Sequence, residues 1–256
     1  MEGLFLGTGT SCGVPMIGCS CDVCCSADPR DRRRRTSLYV SYQGKGLLID
    51  TPPDFREQAL EYKIPRVDTV FFTHAHADHI FGFDDIRRFN TMQGGAIPAY
   101  ADKDTLADLQ RVFHYIGAPN VLGTYRPDIH FRELKGTVDA HGIAVTPLQV
   151  EHGRQPTFGF LLEADGKRLA YIPDCKVMPP ATLEKVKGVD VIVLDALRHR
   201  QHATHMTIEE SLTCLDSVQA GKAYLIHMCH EVGHAELESS LPPHIQVAFD
   251  GLRINL

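Results

Sequence analysis

Tryptophan is absent from this chain of 256 residues, and no stretch approaches the ~18 consecutive apolar residues that a membrane helix requires. Positive charge is also scarce: Lys and Arg number 26 against 32 Asp and Glu, for a net charge of −6. That balance argues against a protein that coats nucleic acid through a general basic surface and leaves room only for a local patch. The amino terminus, Met1-Glu2-Gly3-Leu4-Phe5-Leu6-Gly7, lacks the basic start and long apolar stretch of a signal peptide, so the expected address is the cytoplasm. Long linkers, internal repeats and low-complexity segments are missing too. The Gly94-Gly95, Pro179-Pro180 and Pro242-Pro243 pairs only punctuate, and one domain is expected over residues 1–256.

Histidine and cysteine, by contrast, are plentiful, at 14 and eight residues. Five of the cysteines (Cys12, Cys19, Cys21, Cys24 and Cys25) fall in the first 25 residues. A disulfide framework calls for a secretory context and distributed pairs, whereas tightly spaced thiols beside many histidines in a reducing compartment point to metal. Cys12, Cys175, Cys214 and Cys229 read as small buried hydrophobes.

Short apolar runs at 38–40, 46–49, 69–72, 143–148, 158–162, 168–172, 189–194 and 223–226 read as strands. Helical spacing covers 54–62 and 103–115, and Thr207-Ile208-Glu209-Glu210 has the form of a capping box that opens a helix over 208–218. Interleaved strands and helices make this an α/β protein.

The densest chemistry follows the run Val70-Phe71-Phe72. In Thr73-His74-Ala75-His76-Ala77-Asp78-His79, four potential ligands for zinc or manganese stand within six residues. Alternation at a strand end sends His74 and His76 to one side, and the turn into a helix can swing Asp78 and His79 toward a second ion, at the spacing of two-metal hydrolases. Further ligands stand where later apolar runs end: His152 after Val150-Glu151, Asp174 after Ile172-Pro173, and His227 after Leu225-Ile226.

This series of His-x-His-x-Asp-His and isolated His, Asp and His resembles the metallo-β-lactamase superfamily over nearly the whole chain. The resemblance implies a four-layer αββα sandwich in which His74, His76 and His152 hold one divalent ion. Asp78, His79 and His227 would hold a second, and Asp174 would bridge both. Asp50, ending Leu47-Leu48-Ile49, matches an aspartate that supports the histidines by hydrogen bonding. Two such ions, Zn²⁺ or Mn²⁺, would share a hydroxide and make the site hydrolytic, with Asp78 and Asp174 part of the catalytic machinery.

Gly18-Cys19-Ser20-Cys21-Asp22-Val23-Cys24 brings three thiols to a spacing that lets them converge on one ion, while the fourth ligand stays open among Cys25, Asp22 and His230. Preceded by Leu6-Gly7-Thr8-Gly9-Thr10-Ser11 and Gly13-Val14-Pro15, the motif resembles the start of the PhnP-type cyclic phosphate phosphodiesterases. That resemblance implies a structural Zn²⁺ on Cys19, Cys21, Cys24 and His230, within a Cys-rich loop at about 12–25. The glycines are not a Walker loop, since no Gly-Lys-Ser/Thr follows, and they read as a tight strand-to-loop turn near the metals.

Between Asp195 and the capping box lies Leu197-Arg198-His199-Arg200-Gln201-His202-Ala203-Thr204-His205-Met206, whose His and Arg side chains can face phosphate. By the resemblance, His205 contacts the phosphate and protonates the leaving oxygen, with His202 and Arg198 as further substrate contacts. The leading reading is therefore a di-metal phosphodiesterase acting on a small cyclic or nucleotide-like phosphodiester such as ribose 1,2-cyclic phosphate. Hydrolysis of a lactam, lactone or thioester by the same ions is one alternative, and a metal-binding scaffold without catalysis is another. A tRNA 3′-processing ribonuclease shares the His motif, but no long basic insertion separates Asp174 from His227. The run Arg30-Asp31-Arg32-Arg33-Arg34-Arg35 reads as solvated or paired, no stable nucleic-acid or membrane partner is expected, and a homodimer is implied by relatives alone.

Overall fold

The structure is a computed structural model describing residues 1–116 and 125–256. Strands β1 (Glu2–Gly7), β2 (Ser37–Tyr42), β3 (Lys45–Ile49), β4 (Thr69–Phe71), β5 (Ile97–Ala101) and β6 (Ile129–Glu133) build one sheet. Strands β7 (Val138–Ala140), β8 (Ile143–His152), β9 (Gln155–Ala164), β10 (Lys167–Ile172), β11 (Val191–Asp195), β12 (Lys222–Ile226) and β13 (Ile245–Val247) build the other. The last strand, β14 (Arg253–Asn255), returns to pair with β1. The spatial orders are β14-β1-β2-β3-β4-β5-β6 and β13-β12-β11-β10-β9-β8-β7.

Each sheet changes character half-way. Pairing is antiparallel from β14 to β3 and parallel from β3 to β6; likewise it is antiparallel from β7 to β10 and parallel from β10 to β13. The topology is thus duplicated, although no repeat is visible in the sequence. A parallel pair needs a crossover, and helices provide several of them: α1 (Phe55–Glu61), α2 (Ala77–Ile80), α3 (Arg87–Gln93), α4 (Lys103–Val112), α5 (Pro180–Val186), α6 (Ile208–Val218) and α7 (His234–Ser240).

Three apolar layers hold the four structural layers together. Between the sheets, Phe5, Phe71, Phe160, Tyr171 and Tyr224 pack with Leu38, Val145 and Val193. Outside the first sheet, Leu48, Val70 and Phe72 meet Phe55, Phe89 and Leu109 from the helices; outside the second, Leu161, Ile192 and Leu225 meet Val186, Leu215 and Leu237. This is the αββα sandwich expected from the sequence. Strands such as β11, buried at every position, carry continuous apolar runs because both faces are covered.

The capping box forms as read: Glu210 N donates to Thr207 Oγ1 at 3.2 Å and Thr207 N to Glu210 Oε2 at 2.8 Å, an arrangement whose loss costs about 1 kcal/mol. The expected helix over 103–115 stops at Val112, and the strand expected from Val189 begins at Val191. No helix among the described residues is long and apolar enough to cross a membrane.

Candidate metal centre

The C-terminal ends of strands in both sheets converge on one cleft. Asp50 follows β3, the His74–His79 segment follows β4, His152 ends β8, Asp174 follows β10, Asp195 ends β11 and His227 follows β12. Asp50 and His227 both adopt positive φ, 63° in each case, so the chain turns sharply as it leaves each strand. Such conformations cost energy and persist where the surroundings impose them, as at functional sites.

His74 Nε2 lies 2.8 Å from His76 Nδ1, and His152 Nε2 lies 3.3 Å from the same atom. Three imidazole nitrogens thus face one point. Burial lowers the pKa of His74, His76 and His152, which keeps the rings neutral and their lone pairs available. On the other side, His79 Nε2 is 3.4 Å from Asp78 Oδ2 and 3.3 Å from Asp174 Oδ1, and His227 Nδ1 is also 3.3 Å from Asp174 Oδ1. The second carboxylate oxygen of Asp174 faces the first group, 3.9 Å from His74 Nε2 and 3.6 Å from His152 Nε2. One carboxylate therefore addresses both clusters, one oxygen to each.

These side chains fit divalent cations. Asp174 Oδ1 and His79 Nε2 are buried with no hydrogen-bond partner, a costly state for polar atoms unless a ligand completes them. Charge leads to the same answer. Burial opposes charge on His79, yet Asp174, Asp78 and Asp50 together push its pKa well above the ordinary value. A proton there answers a demand for positive charge that a metal ion would meet. Burial alone would raise the Asp174 carboxyl, but His227 and His79 hold it well below the usual carboxylate range.

Surrounding groups fix the rings. His79 Nδ1 donates to Asp50 Oδ2 at 2.8 Å, and Asp50 also accepts from Thr73 N and Thr73 Oγ1 at 2.9 and 2.8 Å. His152 Nδ1 donates to the Thr204 carbonyl at 2.7 Å. Such partners set tautomer and orientation.

His205 belongs to this cleft. Its Nε2 is 3.9 Å from Asp174 Oδ2, its ring stacks on His227 at 4.7 Å, and its Nδ1 donates to Asp195 Oδ2 at 2.7 Å. Burial disfavours its charge, but Asp195 carries its pKa up to about 9. The His202 ring lies 5.1 Å from that of His205, its Nδ1 taken up by the Thr204 amide and hydroxyl.

Other residues sit differently from expectation. Arg198 is engaged by an acid: its Nη1 is 2.8 Å from Glu231 Oε1, which Arg200 shares at 2.7 Å. Cys12 is exposed rather than buried, since the loop after β1 turns outward there, whereas Cys175 and Cys229 are buried. In the basic run, Arg30 pairs with Asp28, Arg34 with Glu61 and Arg35 with Asp54. Arg33 is 2% exposed and donates to Thr8 Oγ1, the Ala248 carbonyl and His234 Nδ1, so it serves the fold. The glycine of the first turn has a packing reason, since a Cβ on Gly7 would stand 2.0 Å from the Arg35 carbonyl oxygen. Asp195 and the Thr204 carbonyl carried no reading from sequence, although Asp195 ends an apolar run just as Asp50 does.

The second cluster lies at the periphery. Cys19 Sγ and Cys21 Sγ are each 3.3 Å from His230 Nδ1, close to the ~3.5 Å edge of a tetrahedron built on Zn–S and Zn–N bonds. Cys24 completes the group, and His230 is the fourth member that spacing alone left open. The Cys24 amide and His230 pull the Cys21 thiol down to about 6, while burial pushes the neighbouring Cys24 thiol up to about 11.

With strand-end histidines, an aspartate facing both clusters and the αββα frame in place, the comparisons with known proteins agree. The β-lactamase superfamily domain matches residues 46–228, and the chain belongs to that superfamily as a metal-dependent hydrolase. A diphosphatase of the PhnP family is similar at 40% identity and a TM-score of 0.92, over 100% of this chain and 97% of that one. Zinc-bound PqqB from Methylobacterium extorquens shares the fold at 24% identity and a TM-score of 0.82, over 100% of both chains. An octanoyltransferase from Porphyromonas gingivalis is 36% identical over 98% of this chain, which spans only 51% of that relative's length.

Proposed function

We propose that the protein hydrolyses a small phosphodiester, cyclic or nucleotide-like, of which ribose 1,2-cyclic phosphate is an example. The observation that carries this reading is His205, held beside the bridging Asp174 by Asp195. A leaving alkoxide needs a proton, and a fixed imidazolium directed into the cleft is suited to supply it. The likeness to a PhnP-family diphosphatase supports phosphorus as the attacked centre and favours a phosphoanhydride as a second substrate class.

His74, His76, His152 and Asp174 would hold one ion, and Asp78, His79, His227 and Asp174 the other, with zinc or manganese suited to this donor set. When bound, such ions activate water and stabilise charge on a phosphoryl group. The chain's own contribution is orientation. Asp50 locks His79, the Thr204 carbonyl locks His152, and Asp195 fixes His205 so that Nε2 faces the cleft. His202 borders the same space and is a candidate contact for the substrate's outer oxygens. Cys19, Cys21, Cys24 and His230 would hold a structural zinc that ties the N-terminal loop to the segment after β12.

The proposed partner is a small molecule rather than a nucleic acid, since four arginines of the basic run are already committed to protein groups. Turnover of bis(p-nitrophenyl) phosphate, a 2′,3′-cyclic nucleotide and a dinucleoside diphosphate, set beside nitrocefin and an acyl thioester, tests the reading. Cleavage of the phosphorus substrates alone is expected; cleavage of nitrocefin or the thioester alone would overturn it.

A further inference from the structure

Away from the metal cleft, α1 and α3 leave a cavity of about 480 Å³ between them. Phe55, Ala59, Leu60, Ile64, Phe89 and Met92 line it, and Leu60 and Met92 remain 58% and 51% exposed. The size is that of a small-molecule site, and the lining is mainly hydrocarbon. Charge around it is lopsided. Arg56 is neutralised by Glu57, and Asp85 is the single acid of the lining. Lys63 and Arg88 also line the cavity, both exposed, and neither forms an ion pair with any described carboxylate. A second cavity, of about 380 Å³ beneath the basic run, differs: two acids, Glu61 and Asp250, line it beside Arg32, Arg33 and Arg34, and Arg34 is paired with Glu61. The α1–α3 cavity thus joins a mainly hydrocarbon wall to two cations, Lys63 and Arg88, that no described carboxylate pairs, with Asp85 as its one acid.

We propose that this cavity binds a free medium-chain aliphatic carboxylate, its hydrocarbon chain against Leu60, Ile64, Phe89 and Met92 and its head group between Lys63 and Arg88. Burying methylene groups supplies affinity, and the two cations select the sign of the head group. A neutral or cationic amphiphile of the same length gains the first contribution and not the second. None of the lining side chains belongs to the metal cleft, so the site stands whether or not the proposed phosphodiesterase activity does.

Calorimetric titration of the full chain with hexanoate, octanoate and decanoate, each below its micelle concentration, tests this. One site is expected, tightening about threefold to fourfold per added methylene. Decyltrimethylammonium should bind at least tenfold more weakly than decanoate. Arg88→Glu and Lys63→Glu, both at exposed positions, should each weaken decanoate at least tenfold while melting temperature and circular dichroism stay unchanged. Leu60→Glu, which places a carboxylate against the hydrocarbon wall, should abolish binding. Absence of binding at millimolar decanoate, equal binding of the cationic amphiphile, or indifference to both charge reversals would overturn the proposal. So would self-association of the chain that Leu60→Glu abolishes, since a second copy would then be the occupant.

Discussion

In the buried centre, imidazoles and carboxylates arrive from the ends of strands in both sheets; in the cysteine cluster, three ligands come from one loop and the fourth from the segment just after β12. The His74, His79, Asp174 and His227 side chains are nearly inaccessible, whereas Cys19, Cys21, Cys24 and His230 are only partly buried. Two unpartnered polar atoms mark the first cluster. The second has contacts near 3.3 Å and no carboxylate among its ligands. A site that must bind substrate and move protons needs charge, a bridging oxygen and access; a clamp needs only a closed shell of soft donors.

Four substitutions put that difference at risk. The largest effect belongs to Asp174→Ala, which removes the carboxylate common to both halves of the centre. Turnover of bis(p-nitrophenyl) phosphate should fall by about 10³-fold or more with the circular dichroism spectrum retained, and undiminished turnover would show that the centre does not carry the activity. His205→Gln follows: about 10²–10³-fold lower kcat is expected, with the metal content measured by mass spectrometry unchanged.

Cys19→Ser should do the reverse. If all sites fill, the parent carries about three ions per chain, and the variant should lose one together with several degrees of Tm while keeping most of its activity. A parent with two ions and a variant of equal Tm would remove the clamp from the comparison.

The smallest effect calibrates the others. Burial works against charge on Asp68, but Arg66, the Gly46 amide and Lys45 hold its carboxyl down at about 2. A depressed carboxyl contributes stability above its ordinary pKa and loses it as pH falls below about 4 toward 2. Asp68→Asn should therefore cost about 2 kcal/mol at pH 7 and flatten the acid side of the stability profile, with both metal contents intact.

Most of the buried centre was legible because each ligand terminates an apolar run, and a polar side chain at the end of a buried strand has few structural reasons to be there. The same runs showed an α/β protein, and the four-layer frame followed from the resemblance that the ligand series carries. Short or atypical strands stayed hidden: β5 contains Pro98, and β6 reads Ile-His-Phe-Arg-Glu with little apolar content. Backbone partners such as the Thr204 carbonyl carry no side-chain signal at all. The pairing of Arg198 with Glu231 left no sequence signal, since that acid lies 33 residues away and is brought near only by folding.

The centre draws on residues from Asp50 to His227, and each of its two ligand clusters takes side chains from both sheets. During synthesis the chain acquires the His74–His79 segment early, yet the pocket cannot close until residue 227 has left the ribosome and β12 has taken its place beside β11. Neither half of the duplicated topology is a working unit by itself. The arrangement withholds the pocket from the nascent polypeptide until strands of both sheets are in place.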